Sequence, residues 1–423
     1  VTANVIDVLE ERGLLEAVTS PDIRKSVDGP VVAYAGFDPT SPSLQAGNLI
    51  AVLGLAHFQR CGHKVIAVVG GATGLIGDPS GKSSERDLLD SEEVERNLQG
   101  IRENLSRFLD FDDPAAPATI VNNNDWMRNF SFVDFIRDIG KHFRLGTMLN
   151  KESVRARLQG EDGMSFAEFS YQLLQSYDFL HLYDTENCTV QVGGSDQWGN
   201  ITAGIDLIRR LRGTEAFGVT FPLVEDSSGQ KFGKSEGNAV FLDQRKTSCY
   251  DFYQFFLRTT DADVVRFLKM FTFVPVSEIE ELARATAEKP GERAAQNRLA
   301  SELTRMVHGE SGLAAAQQAS NVLFGGSVEG LCADDLLRVF ADVPSCELAM
   351  TEVVGTLVVD VAAKSGACSS KGEARRLIAG GGLYVNSVRV PNADAKIGSS
   401  DIVDGRALVL RSGRKTFHLV KIV

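Results

Sequence analysis

The chain has 423 residues, 43% of them hydrophobic and 24% charged, with a formal net charge of −12. That length exceeds one compact core and allows two or three domains. No apolar run approaches the roughly 20 residues of a bilayer-spanning helix, which excludes a membrane protein, and the acidic balance excludes a protein that coats nucleic acid indiscriminately.

In chain order, VVAYAGF, KVIAVVG, TVQVGG and GVTFPLV are short β-branched runs separated by longer amphipathic stretches over the first 225 residues or so. This alternation predicts strands of a parallel sheet covered on both faces by helices. A helical insert interrupts it at about 132–184, a helical segment occupies 244–325, and 326–351 has the looser look of a linker. The last segment, 352–423, changes to a helix, SSKGEARRLIAGG, followed by the short strands LYVNSVRV and ALVLRSG. From Lys371 onward ten Lys/Arg face four Asp/Glu, so this tail carries +6 and the rest of the chain −18. An acidic body with a basic tail suits selective contact with a polyanion. Six cysteines lie scattered without CxxC pairs or metal-ligand spacing. They predict reduced thiols in a reducing compartment and no protein-bound metal.

Four stretches carry chemistry. The first, YAGFDPTSPSLQAGNLI, is a strand–turn–helix in which Gly47 admits close approach of a ligand to a helix N-terminus that favours anions. The second, GGATGLIGDPSGKSSER, concentrates glycines after a strand and places Lys82 and Arg86 just beyond them. In the third, GGSDQWGN, Asp196 is suited to accept hydrogen bonds from a ribose diol, or equally to cap a helix. The fourth, KFGKS, flanks Gly233 with Lys231 and Lys234, a cationic clamp for a leaving polyphosphate.

All four in this order resemble the tyrosyl-tRNA synthetases of bacterial or organellar type, which are class I aminoacyl-tRNA synthetases, over nearly the whole length. KFGKS matches the KMSKS motif of that family, PSLQAGN stands at its HIGH motif, and GFDPT, GGATGLIGDPSG, YQLLQSYDF and GGSDQWGN match the tyrosyl subfamily. The resemblance implies an α/β fold: a Rossmann-like catalytic domain over 1–243 with a helical dimerisation insert, a helical anticodon-side domain over 244–325, and a small α+β RNA-binding domain over 352–423, similar to a ribosomal small-subunit protein. It implies activation of L-tyrosine by ATP to tyrosyl-adenylate and pyrophosphate, then transfer of the tyrosyl group to the terminal ribose of tRNA(Tyr).

Residue by residue, the resemblance sets Tyr34 and Asp178 at the substrate phenol and Asp78, Tyr171, Gln175 and Gln197 around its ammonium group. Tyr171, Gln175 and Asp178 recur at i, i+4 and i+7, on one helix face. Thr40, Gln45, Lys82, Arg86, Lys231, Lys234 and Ser235 would act on the phosphates, and Asp38, Gly47, Asn48, Gly194, Asp196 and Lys234 would hold ATP, which brings its own Mg²⁺. Lys151 and Arg155 would meet the acceptor stem, while Lys371, Arg375 and Arg376 would form a cationic helix edge for RNA phosphates. The resemblance also implies a homodimer joined through the apolar insert around Phe143 to Phe169.

The HIGH-type turn carries Gln45 and Asn48, and the chain's histidines, His57, His63, His142, His181, His308 and His418, all lie elsewhere. An Asn amide nitrogen reaches about as far as histidine Nδ1, and a Gln amide nitrogen about as far as Nε2, each as a neutral donor. A donor weakened rather than lost costs roughly 1–3 kcal/mol, or about 5- to 150-fold in the activation step. The turn therefore leaves two readings: a working ligase, or a weakened or inactive paralogue that binds tyrosine or RNA. A tryptophanyl enzyme is disfavoured, because Tyr34 and Asp178 suit a phenol and not an indole.

Overall fold

The computed structural model describes residues 3–80, 91–159, 163–235, 238–323, 328, 330–340, 343–413 and 416–423. The chain divides into two compact units, the first comprising 1–247 and 256–307 and the second 248–255 and 308–423.

The first unit is built on a six-stranded sheet: β1 (Ala17–Val18), β2 (Val32–Phe37), β3 (Lys64–Val69), β4 (Ala118–Asn122), β5 (Cys188–Gly194) and β6 (Phe217–Phe221). The spatial order is β1-β6-β5-β2-β3-β4, parallel throughout except for β1, which runs antiparallel to β6. The four expected strands are the central ones. Along β3 every residue after Lys64 is buried, and along β6 every residue is, as strands covered on both faces require. Edge strands β1 and β4 are half-buried, so ATIVN over β4 shows no sustained apolar run. After β2 the chain winds to β3 and β4, then returns to the other side of β2 to form β5. The strand order thus reverses between β2 and β5, and in open parallel sheets ligands bind in the crevice outside the carboxyl ends of the strands at such a point.

The insert consists of short helices, Phe132–Asp138, Leu145–Leu149 and Glu152–Leu158, leading into one long helix, Phe166–Glu186. A buried bidentate pair, Arg157 with Glu168, ties the last short helix to the long one. Helices Asp261–Phe271 and Val276–Glu288 pack within the same unit. There the buried Arg12 guanidinium donates to the carbonyls of Thr272 (2.8 Å) and Val274 (2.9 Å). After Lys231, β7 (Lys234–Ser235) pairs antiparallel with β8 (Asn238–Ala239).

The second unit contains a five-stranded sheet of β9 (Ser345–Leu348), β10 (Leu383–Val385), β11 (Val388–Arg389), β12 (Ala407–Ser412) and β13 (Thr416–Ile422), ordered β11-β10-β12-β13-β9. Helix Lys371–Ala379, capped where the Ser370 hydroxyl accepts from the Glu373 N–H, buries Ala374 and Ile378 in the same apolar cluster as Leu383 and Val385. The stretch read as a linker holds helix Ala333–Val339 and strand β9, which pairs parallel with β13. Its polar and small residues hide this, because β9 contributes only Leu348 to the core.

Candidate active site

A cavity of about 220 Å³ opens at the β2/β5 crevice, floored by residues 34–38 of one strand end and 191–194 of the other. Three aspartates line it, Asp38, Asp78 and Asp178, and among the described lining residues there is no lysine or arginine. Such a chamber favours a ligand that brings a positive group.

At its deep end Tyr34 is 1% exposed, its ring tilted against Phe179 with centroids 5.2 Å apart. Its hydroxyl is buried with no hydrogen-bond partner among the described residues. Buried polar atoms are nearly always paired, so an orphan in a cavity wall marks a place for a ligand atom. Asp178 stands in the same wall, on helix Phe166–Glu186, with one oxygen accepting from Asn123 Nδ2 (3.0 Å) and the other from Trp126 Nε1 (2.8 Å). Burial pushes its carboxyl up to about 7, against the pull of those two hydrogen bonds. Across the sheet register Tyr34 faces Gln191 of β5, another lining residue, whose Oε1 is buried with no hydrogen-bond partner among the described residues.

The next layer is a polar network. Tyr171 donates its hydroxyl to Asp38 (3.1 Å), and burial raises the phenol above its ordinary range. Thr73 Oγ1 donates to Asp38 and accepts from Asn123 Nδ2, so one chain of hydrogen bonds joins Asp38 to Asp178. Gln197 donates to Asp78 and accepts from Gln175 (3.3 Å) and Asn200 (3.2 Å). The trio of Tyr171, Gln175 and Asp178 does share one helix face, and all three line the cavity.

Toward the mouth, the turn after β2 places Thr40, Gln45 and Asn48 in the lining. Asn48 Oδ1 accepts from the Gln45 backbone N–H at 2.9 Å, which leaves its amide nitrogen as the outward donor. The segment that follows KFGKS lies along this turn in strand-like pairing. Ala46 N–H donates to the Val240 carbonyl (2.8 Å) and Leu242 N–H to the Leu44 carbonyl (2.9 Å). Phe232 stacks on Phe271 with centroids 4.0 Å apart, anchoring the loop to helix Asp261–Phe271.

Gly194 also lines the cavity, whereas Gly47, Asp196 and Lys231 stand outside its lining. Burial, then the nearby Asp78, raises the Asp196 carboxyl above its usual range. Lys234 and Ser235 enter β7 by their backbones. Lys82 and Arg86 lie outside the described residues, so the cationic half of the expected phosphate site is not represented by them. Asn123, Trp126, Thr73 and Gln191 join the site without having stood out in the sequence; the signal for the first two is NNNDW at a carboxyl strand end, where a parallel sheet concentrates function. Among the described residues no group of three or more His, Cys, Asp or Glu could hold a metal ion.

The residues expected at RNA are on the surface or near it. Lys151 is half-buried and donates to the Gly199 carbonyl, burial lowering its amine to about 8, while Arg155 is exposed. Arg375 and Arg376 are exposed on helix Lys371–Ala379, and Lys371 pairs with Asp360 at 3.0 Å.

The family described as tRNA synthetases class I (W and Y) matches residues 25–325, and the tyrosine–tRNA ligase C-terminal domain matches 335–420. A tyrosine–tRNA ligase of Protochlamydia amoebophila is 49% identical over 99% of both chains. The chloroplastic/mitochondrial tyrosine–tRNA ligase of Arabidopsis thaliana is 47% identical over 99% of this chain and 84% of its own. Among solved structures, a C-terminally truncated mitochondrial tyrosyl-tRNA synthetase of Aspergillus nidulans superposes with a TM-score of 0.69 at 32% identity, covering 76% of this chain and 94% of that one.

Proposed function

The chain belongs to the tyrosine–tRNA ligase family of class I aminoacyl-tRNA synthetases, and from that premise we propose how its residues divide the reaction. It activates L-tyrosine with ATP and transfers the tyrosyl group to tRNA(Tyr); nothing in the relatives favours an inactive paralogue.

The observation that carries the assignment is the Tyr34 hydroxyl, without a partner among the described residues, in the same cavity lining as Asp178. A phenol completes that pair by accepting from one and donating to the other, whereas phenylalanine leaves both buried groups wanting a partner, a penalty of about 1–3 kcal/mol each. Sites built to hydrogen-bond a substrate hydroxyl reject the analogue that lacks it, and tyrosyl-tRNA synthetases are themselves the familiar example of that effect. Asp78, Gln175 and Gln197, with Tyr171 beyond, receive the ammonium group. This directs the substrate carboxylate toward the mouth, where Thr40, Gln45 and Asn48 stand.

The carboxylate is already a nucleophile and needs no protein base. It attacks the α-phosphate, and the electrons of the breaking P–O bond leave with pyrophosphate. The chain's part is alignment and charge stabilisation. Neutral donors come from Thr40, Gln45 and Asn48, and cations from Lys82, Arg86, Lys231 and Lys234, with Ser235 beside them. Gly47, Gly194, Asp38 and Asp196 bound the nucleotide. Magnesium arrives with ATP and neutralises part of the phosphate charge.

Lys151 and Arg155 meet the acceptor end of tRNA, and Lys371, Arg375 and Arg376 its phosphates elsewhere. The functional chain is a homodimer: the insert exposes Phe132 (71%), Leu145 and Phe166 (66%), an apolar face of the kind that second copies cover. The compartment is a bacterial cytoplasm or an organelle matrix. Calorimetric titration with tyrosine and then phenylalanine tests the site assignment; equal affinities would contradict it.

A further inference from the structure

We propose that the sheet of the second unit carries a stacking site for an unpaired RNA base, formed by the cross-strand row Arg389, Tyr384 and Arg411. The register puts Tyr384 of β10 opposite Arg389 of β11 on one side and Arg411 of β12 on the other, with Arg411 in turn opposite Phe417 of β13. The Arg411 guanidinium lies over the Tyr384 ring, 3.9 Å from its centroid, with Phe417 at 5.9 Å. Arg389 is held flat over Gly381, a glycine at φ 71° where an added Cβ would strike the guanidinium.

This row lies on the sheet face away from the basic helix. Leu383 and Val385 point into the cluster shared with Ile378, so Tyr384 between them points the other way. On that other face, Phe417, Val409 and Leu419 pack under Phe340 and Leu336. Among the described residues the cover ends there, with Tyr384 half-exposed and Arg389 exposed. Among the described residues neither arginine has an acidic partner, and the Arg411 Nε is buried without any. Tyr384, with Arg411 over one face of its ring and Arg389 beside it in the register, offers its other π-face to a base and two charges to the flanking phosphates. Double-stranded RNA keeps its bases stacked inside and cannot use the ring, so the ligand class is single-stranded or looped RNA.

The inference rests on the reading that the second unit binds RNA, and its test separates the two. Fluorescence anisotropy of the full chain is measured with a labelled decamer of adenylate, a ten-base-pair RNA duplex and a tRNA(Tyr) transcript, over a range of salt. Tyr384→Leu is expected to weaken decamer binding by about 5- to 150-fold with the salt slope unchanged, with Tyr384→Phe near wild type. Arg375→Ala with Arg376→Ala is expected to lower the salt slope for every RNA. Decamer binding by Tyr384→Leu within twofold of wild type, or an equal loss on the duplex, overturns the stacking site while the RNA reading stands. Wild type that binds neither decamer nor transcript removes both. Should Tyr384→Leu melt the unit, Arg389→Ala serves instead and must weaken the decamer more than the duplex.

Discussion

Gly233 presses against Gly47: a Cβ built on it would stand 2.6 Å from the Gly47 backbone nitrogen, and its φ of 87° is one that L side chains rarely adopt. The turn after β2 and the KFGKS loop are thereby held backbone to backbone. Gly233→Ala combines that clash with left-handed strain of about 1–3 kcal/mol. The expected outcome is a lowered melting temperature and tyrosine-dependent pyrophosphate exchange reduced at least about tenfold. Exchange unchanged would mean that the loop need not lie on the turn.

Tyr34→Phe should act with opposite signs on stability and specificity. It removes a buried hydroxyl that has no partner among the described residues, so thermal stability should hold or rise by about 1 kcal/mol. Discrimination of tyrosine from phenylalanine in kcat/KM should fall, because the new wall no longer penalises the missing phenol.

Trp126→Phe deletes the donor to Asp178 Oδ1. Without it burial acts less opposed and the carboxyl rises further above 7. Tyrosine KM should increase severalfold, and the pH profile of kcat/KM should move to higher pH. A raised KM with an unmoved profile would make the indole merely a spacer.

Asp178 also sets a pH dependence of folding. Its folded pKa of about 7 lies above the ordinary carboxylate value, so the folded state holds the proton longer than the unfolded one. Its contribution is fully present below about pH 4 and is lost as pH rises through about 7. Relative to Asp178→Asn, the ligand-free wild type should therefore lose stability from pH 5 to 8, as urea unfolding at several pH values would show.

Phe132 and Phe166 stand exposed on the insert. Phe132→Asp with Phe166→Asp should turn a dimer into a monomer by sedimentation velocity, with tyrosine binding to each chain retained or moderately weakened. A wild-type monomer at micromolar concentration would remove the dimer.

Much of this was legible in the sequence where one residue's type announced its task. The four central strands are continuous apolar runs, and Tyr171, Gln175 and Asp178 advertise themselves as a polar face on an apolar helix. What the sequence hid depends on distant partners. Asn123 and Trp126 lie in a polar stretch that gains its role only when the fold sets them against Asp178, some fifty positions on. Gln191 sits inside a strand and gains meaning only from its register with Tyr34. Strand β9 needed β13 to exist, since alone it offers one core residue. The pairing of Ala46 with Val240 shows why KFGKS must follow the last central strand, a reason that spacing alone does not contain.

The most direct measurement is pyrophosphate exchange into ATP by the purified chain, with tyrosine, with phenylalanine and with neither. Exchange that requires tyrosine, ignores phenylalanine and quickens in Gln45→His is the predicted result. A rate with tyrosine no higher than with no amino acid at all would contradict the whole account.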